Sequence, residues 1–65
     1  MLVKFTTMSN ARTVYVNPEW VVMVRPLNES ATTIVVGLVV GDNKGYETLT
    51  VEGNVDTTAS KLSGG

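Results

Sequence analysis

Ile34-Val35-Val36-Gly37-Leu38-Val39-Val40 is the longest apolar run of the chain. β-Branched residues dominate it, which favours an extended strand over a helix. A strand with one wet face alternates apolar and polar residues, and this one does not. Ile34, Val36, Leu38 and Val40 fall on one face, Val35 and Val39 on the other. The first set suits the interior of a small barrel or sandwich, and the second is left facing water. Val21-Val22-Met23-Val24 breaks the alternation in the same way. Burying one Val is worth roughly 1.5–2 kcal/mol, so a few such residues per subunit offset much of the entropic cost of association. Val21, Met23, Val35 and Val39 are therefore expected at a subunit interface. The alternative is a monomer whose C-terminal helix covers this second face.

Outward from this run, turn signals divide the rest of the chain into further strands. Residues 2–7 alternate, with Val3 and Phe5 on one face and Lys4 and Thr6 on the other. Ser9-Asn10-Ala11 supplies a tight turn. Residues 12–16 form the second strand, with Val14 and Val16 opposed to Thr13 and Tyr15. In Asn17-Pro18-Glu19-Trp20, Asn17 can cap one helical turn and Pro18 fits its first position. A third strand over 21–25 is expected to stop at Pro26, which cannot donate to a ladder. Asn28-Glu29-Ser30 is a turn, and the fourth strand covers 32–40. Gly37 inside it marks a bend or bulge of the kind a small barrel needs to close, in preference to a close approach by a ligand. Gly41-Asp42-Asn43-Lys44-Gly45 reads as a hairpin loop and 46–51 as the fifth strand. Asn54 caps a short helix over 55–62, with Val55, Ala59 and Leu62 on one face. Residues 1–53 are thus expected to form a small β-barrel domain, and 54–65 the short helix and tail of the same domain.

Sixty-five residues are near the lower limit for independent folding. Chains this short usually add disulfides, a metal or self-association. The sequence has no Cys and no His, which removes the disulfide and the common zinc ligands. Self-association remains. The net charge of −1 and the scattered positions of Lys4, Arg12, Arg25, Lys44 and Lys61 lack the basic excess of a dedicated duplex-DNA binder. A ring could still gather several copies of one Arg around a pore. The N-terminus lacks the apolar core and cleavage site of a signal peptide, and the longest apolar run is too short to cross a bilayer as a helix. The expectation is a soluble, cytoplasmic protein.

Five short, strongly bent strands in so small a chain resemble the Sm-like (Hfq/LSm) family. The local match is Thr13-Val14-Tyr15-Val16-Asn17-Pro18-Glu19-Trp20-Val21-Val22-Met23-Val24-Arg25-Pro26, which is similar to the second Sm motif of the Hfq branch. The resemblance implies an all-β fold: a small five-stranded, strongly bent antiparallel Sm-like barrel, here with a short C-terminal helix. It also implies a homo-oligomeric ring, closed edge to edge by the two strands of the motif, with the turn facing a pore that contacts single-stranded RNA. The chain departs from the family pattern in three ways. The motif lies near the N-terminus, the N-terminal helix is missing, and Asn17-Pro18-Glu19 stands where the family has a Lys-His pair. A Glu in that turn repels phosphate. The same strand-turn-strand phrase also resembles very small phage and bacterial proteins, including the flagellar FlbD-like group.

No catalytic constellation is legible. Without His or Cys there is no conventional triad and no thiol nucleophile, and Glu19, Glu29, Glu47 and Glu52 read as solvated strand and turn positions. The 41–45 loop has neither P-loop nor calcium-loop spacing. No enzyme activity, cofactor, metal or small-molecule substrate is expected. Single-stranded nucleic acid needs aromatic faces beside cations, and Tyr15, Asn17 and Trp20 at the turn, with Arg12 and Arg25 ending its strands, are the candidate set. The competing assignment makes Trp20 a plug for one end of the barrel and Tyr15 an interface residue. Two functions therefore stand: a ring-forming module engaging single-stranded RNA, or a phage or bacterial accessory factor that binds protein and no nucleic acid.

Overall fold

The computed structural model describes the backbone of residues 1–64 and the side chains of all of these except residues 38–40, 43 and 44. The elements run β1 (Val3–Thr6), β2 (Thr13–Val16), a 3-10 turn (Pro18–Trp20), β3 (Val21–Asn28), β4 (Ala31–Val40), β5 (Asn43–Glu52) and α1 (Val55–Leu62). β1 and β2 form an antiparallel pair, and β3-β4-β5 form a three-stranded antiparallel sheet. One bridge, Thr7 to Val51, joins the two sheets, reinforced by Met8 N donating to Thr50 O at 3.0 Å. The strand order through that bridge is β2-β1-β5-β4-β3. Strand pairing among the described residues does not continue from β3 back to β2, so the expected barrel is realised as two sheets and is not closed.

The core forms where the predicted alternations meet. Val3 pairs with Val16 and Phe5 with Val14; Ile34 pairs with Val24 and Leu49, and Val36 with Val21 and Glu47. Phe5, Val16, Ile34, Val36 and Val51 are buried together, with Val3, Val14, Val21, Val24, Leu49 and Leu62 packed around them. The apolar face of each strand thus turns inward, which is the dominant favourable term in folding.

Several boundaries differ from expectation for identifiable reasons. β3 does not stop at Pro26 but continues to Asn28, with Pro26 paired to Thr32. It ends the strand order of its sheet, and an edge strand has a side on which a missing N–H costs no ladder bond. The loop expected over 41–45 is a two-residue turn at Gly41 and Asp42, because Asn43 already pairs with Val40. Gly41 holds φ at 60°, the left-handed conformation that tight hairpins favour and that glycine supplies. Register between β4 and β5 is unbroken through Gly37. The irregularities lie instead in β3, where the pairing jumps from Val21 to Met23 and again from Pro26 to Asn28.

α1 keeps the predicted limits. Asn54 Oδ1 accepts from Thr57 N at 2.8 Å, which satisfies one of the orphan donors of the first turn. Its buried face is not the predicted one, since Ala59 is exposed while Thr58 is buried between half-buried Val55 and Leu62. Leu62 packs on the central cluster, so α1 helps to cover the core, while Val22, Met23 and Tyr46 on the second face of the β3-β4-β5 sheet stay exposed. No helix among the described residues is long and apolar enough to cross a membrane.

Val35 lies on that second face, opposite Ile34, yet is only 8% exposed. It belongs to a central strand and is flanked by its register partners Met23 and Thr48. The expectation that its side chain lies open to a partner is therefore corrected. The exposed apolar groups on that face come from the edges: Val22, Met23 and Tyr46. Val21 faces the core, and the side chain of Val39 lies outside the described residues.

Candidate functional site

The Asn17-Pro18-Glu19-Trp20 turn forms as its residues dictate. Asn17 is extended and its Oδ1 accepts from Glu19 N at 3.0 Å, while Trp20 N donates to Asn17 O at 3.0 Å. These two bonds close one turn and set Trp20 directly before β3. Trp20 is 61% exposed and Tyr15 62%. Neither is a core plug.

Tyr15, Asn17 and Trp20 come together in one cleft of about 280 Å³, whose lining is completed by Leu2, Val16, Val36, Glu47 and Leu49. Of these, Val16, Val36 and Leu49 belong to the core or pack against it, and Leu2, Tyr15 and Trp20 are exposed. Arg12 and Arg25 are not among its lining residues. Arg12 precedes Thr13, at the end of β2 away from Asn17. Arg25 pairs with Thr33 on the face opposite Val24 and Ile34, so alternation turns it away from the core side where the cleft opens. The structure thus gathers the aromatic half of the candidate set and separates it from the cationic half.

The formally charged side chain in the cleft is instead Glu47. Its position is informative. Along β5, Val51, Leu49 and Glu47 share the core-facing side, as their pairing with Thr32, Ile34 and Val36 shows. A carboxylate therefore occupies the last step of an apolar stripe, where the two sheets part and water reaches it. Glu47 is exposed, as a solvated strand position should be, and the alternation of residues 46–51 also places it on the side of Leu49 and Val51. Leu2 and Leu49 were likewise not expected here. Leu2 enters only because the start of β1 lies next to the end of β2, through the Val3–Val16 pair.

Two further depressions are polar. One is lined by Glu29, Glu52, Asn54 and Thr57 near the start of α1. The other lies beside Lys61, whose Nζ sits 5.4 Å from the centre of the Phe5 ring, within the range of a cation–π contact. Among the described residues, no three His, Cys, Asp or Glu side chains gather as a metal site would require. No family model matches this chain, and comparison with curated proteins and with solved structures finds no match.

Proposed function

We propose that this protein is a non-enzymatic, self-associating binding module of the Sm-like type, in which the β2 edge of one copy joins the β3 edge of the next. The observation that supports this is the strand order: β2 and β3 are the two terminal strands, separated along the chain by a single turn. Each therefore offers backbone donors and acceptors without a ladder partner. Joining two different edges is a head-to-tail contact, and such contacts generate a ring when the rotation closes. The bulge at Val22 and the proline at 26 interrupt the β3 edge on either side of Met23, Val24 and Arg25. That three-residue stretch is close in length to β2, which has four residues. Exposed Val22 and Met23 beside it, and Tyr15 on β2, supply the apolar contact.

Contacts between polypeptides are favoured over RNA as the working surface. Stacking on Trp20 or Tyr15 would bring a phosphate chain to Glu47, while Arg12 and Arg25 stand elsewhere. The lack of His and Cys supports the non-enzymatic reading. Light-scattering mass of the purified protein is the test. The expected result is a mass several times that of the chain, reduced by Met23→Glu, with an absorbance ratio typical of protein free of nucleic acid. A monomer at high concentration overturns the proposal. Co-purified RNA released by high salt restores the RNA-binding form of it.

A further inference from the structure

We propose that the cleft at Trp20 receives a basic side chain, arginine ahead of lysine, presented by a partner polypeptide. Three properties of the cleft point to that chemistry. Its lining is partly aliphatic, with Val36, Leu49 and Leu2, which suits the methylene stem of a long side chain. The single indole, Trp20, lines it and is exposed, and an indole face is the best aromatic partner for a cation. The charged group among its lining residues is the Glu47 carboxylate, held on the apolar side of β5 by the register with Val36. An apolar ligand would draw nothing from that carboxylate, and an anion would be repelled by it. A ligand with an aliphatic stem and a cationic head satisfies all three surfaces at once. Guanidinium is favoured over ammonium because it is planar, stacks on rings and can bond a carboxylate through two N–H groups.

The volume sets the size of the guest. About 280 Å³ is at the lower bound of small-molecule sites and accommodates one long side chain, not a folded element. The inference does not depend on self-association: Trp20, Glu47 and Leu49 are brought together within one chain.

Trp20 is the protein's single tryptophan, so its fluorescence reports on the cleft directly. The experiment titrates the wild-type protein with an end-blocked Gly-Arg-Gly tripeptide, with its lysine counterpart, and with Gly-citrulline-Gly, whose urea head has the shape of guanidinium without the charge. The expected result is a saturable change with the arginine peptide, in the millimolar range of a single side chain, and about fivefold weaker binding of the citrulline peptide. Glu47→Gln, an exposed substitution whose fold is checked by circular dichroism, is expected to abolish the preference of arginine over citrulline. Equal binding of arginine and citrulline overturns the proposal, since the cleft would then be merely apolar. So does a preference that survives Glu47→Gln, or the absence of saturation up to about 100 mM. A short single-stranded RNA that saturates the Trp20 signal ahead of the arginine peptide would also sink it. Repeating the titration on Met23→Glu separates this site from self-association, because a monomeric variant is expected to bind the arginine peptide unchanged.

Discussion

Thr32 and Thr58 are both buried threonines, and their hydroxyls have opposite fates. Thr32 Oγ1 donates to Gly53 O at 2.9 Å, whereas Thr58 Oγ1 is buried without a hydrogen-bond partner. A buried donor left unpaired carries its desolvation penalty in full, while an isosteric methyl carries none. Thr58→Val is therefore expected to stabilise the protein by about 1 kcal/mol, read as a higher urea midpoint with an unchanged slope. A fall in the midpoint would mean that the hydroxyl has a partner after all. Read by sequence, Val55, Ala59 and Leu62 form the buried face and Thr58 lies off it. That it, and not Ala59, faces the core depends on how α1 is rolled against the sheets, which the spacing of apolar residues in eight positions does not determine.

At the scale of elements, the most reliable signals were those with a local mechanism. Asn54 capping α1 and the Asn17-Pro18 turn were readable because each needs only its own neighbours in the chain. The cap also makes a prediction. Asn54→Ala leaves Thr57 N without its acceptor and is expected to cost about 1 kcal/mol, measured by urea unfolding. No loss would mean that water replaces the side chain fully. The edges of strands were less legible. Pro26 reads as a stop in any sequence, yet its effect depends on whether a strand is central or peripheral, and β3 is peripheral. The loop at 41–45 shrank to two residues because continued pairing satisfies backbone groups that a longer loop would leave to water.

For the whole molecule, the question is how much apolar strand surface one chain can hide. Burial of Val35 within the central strand lessens the deficit that the double-faced valines implied. Val22, Met23 and Tyr46 remain exposed on the second face of the β3-β4-β5 sheet. If copies associate through it and through the β2 and β3 edges, folding and assembly are linked, and thermal stability must depend on concentration. Calorimetry is expected to show Tm rising with each tenfold increase in protein concentration. A Tm independent of concentration marks a monomer, and Tyr15, Val22 and Met23 would then be ordinary surface residues.

The succession of strands along the chain, the faces of β1, β2 and β4, and the limits of α1 were written in the chain, because alternation and capping are imposed by residues adjacent in sequence. Which strands end the sheets, which helix face is buried and what company Glu47 keeps were not. Those depend on contacts between residues far apart, such as Thr7 with Val51 and Val36 with Glu47. Periodicity describes a strand's two sides, and only the packing of one sheet against another assigns water to one of them.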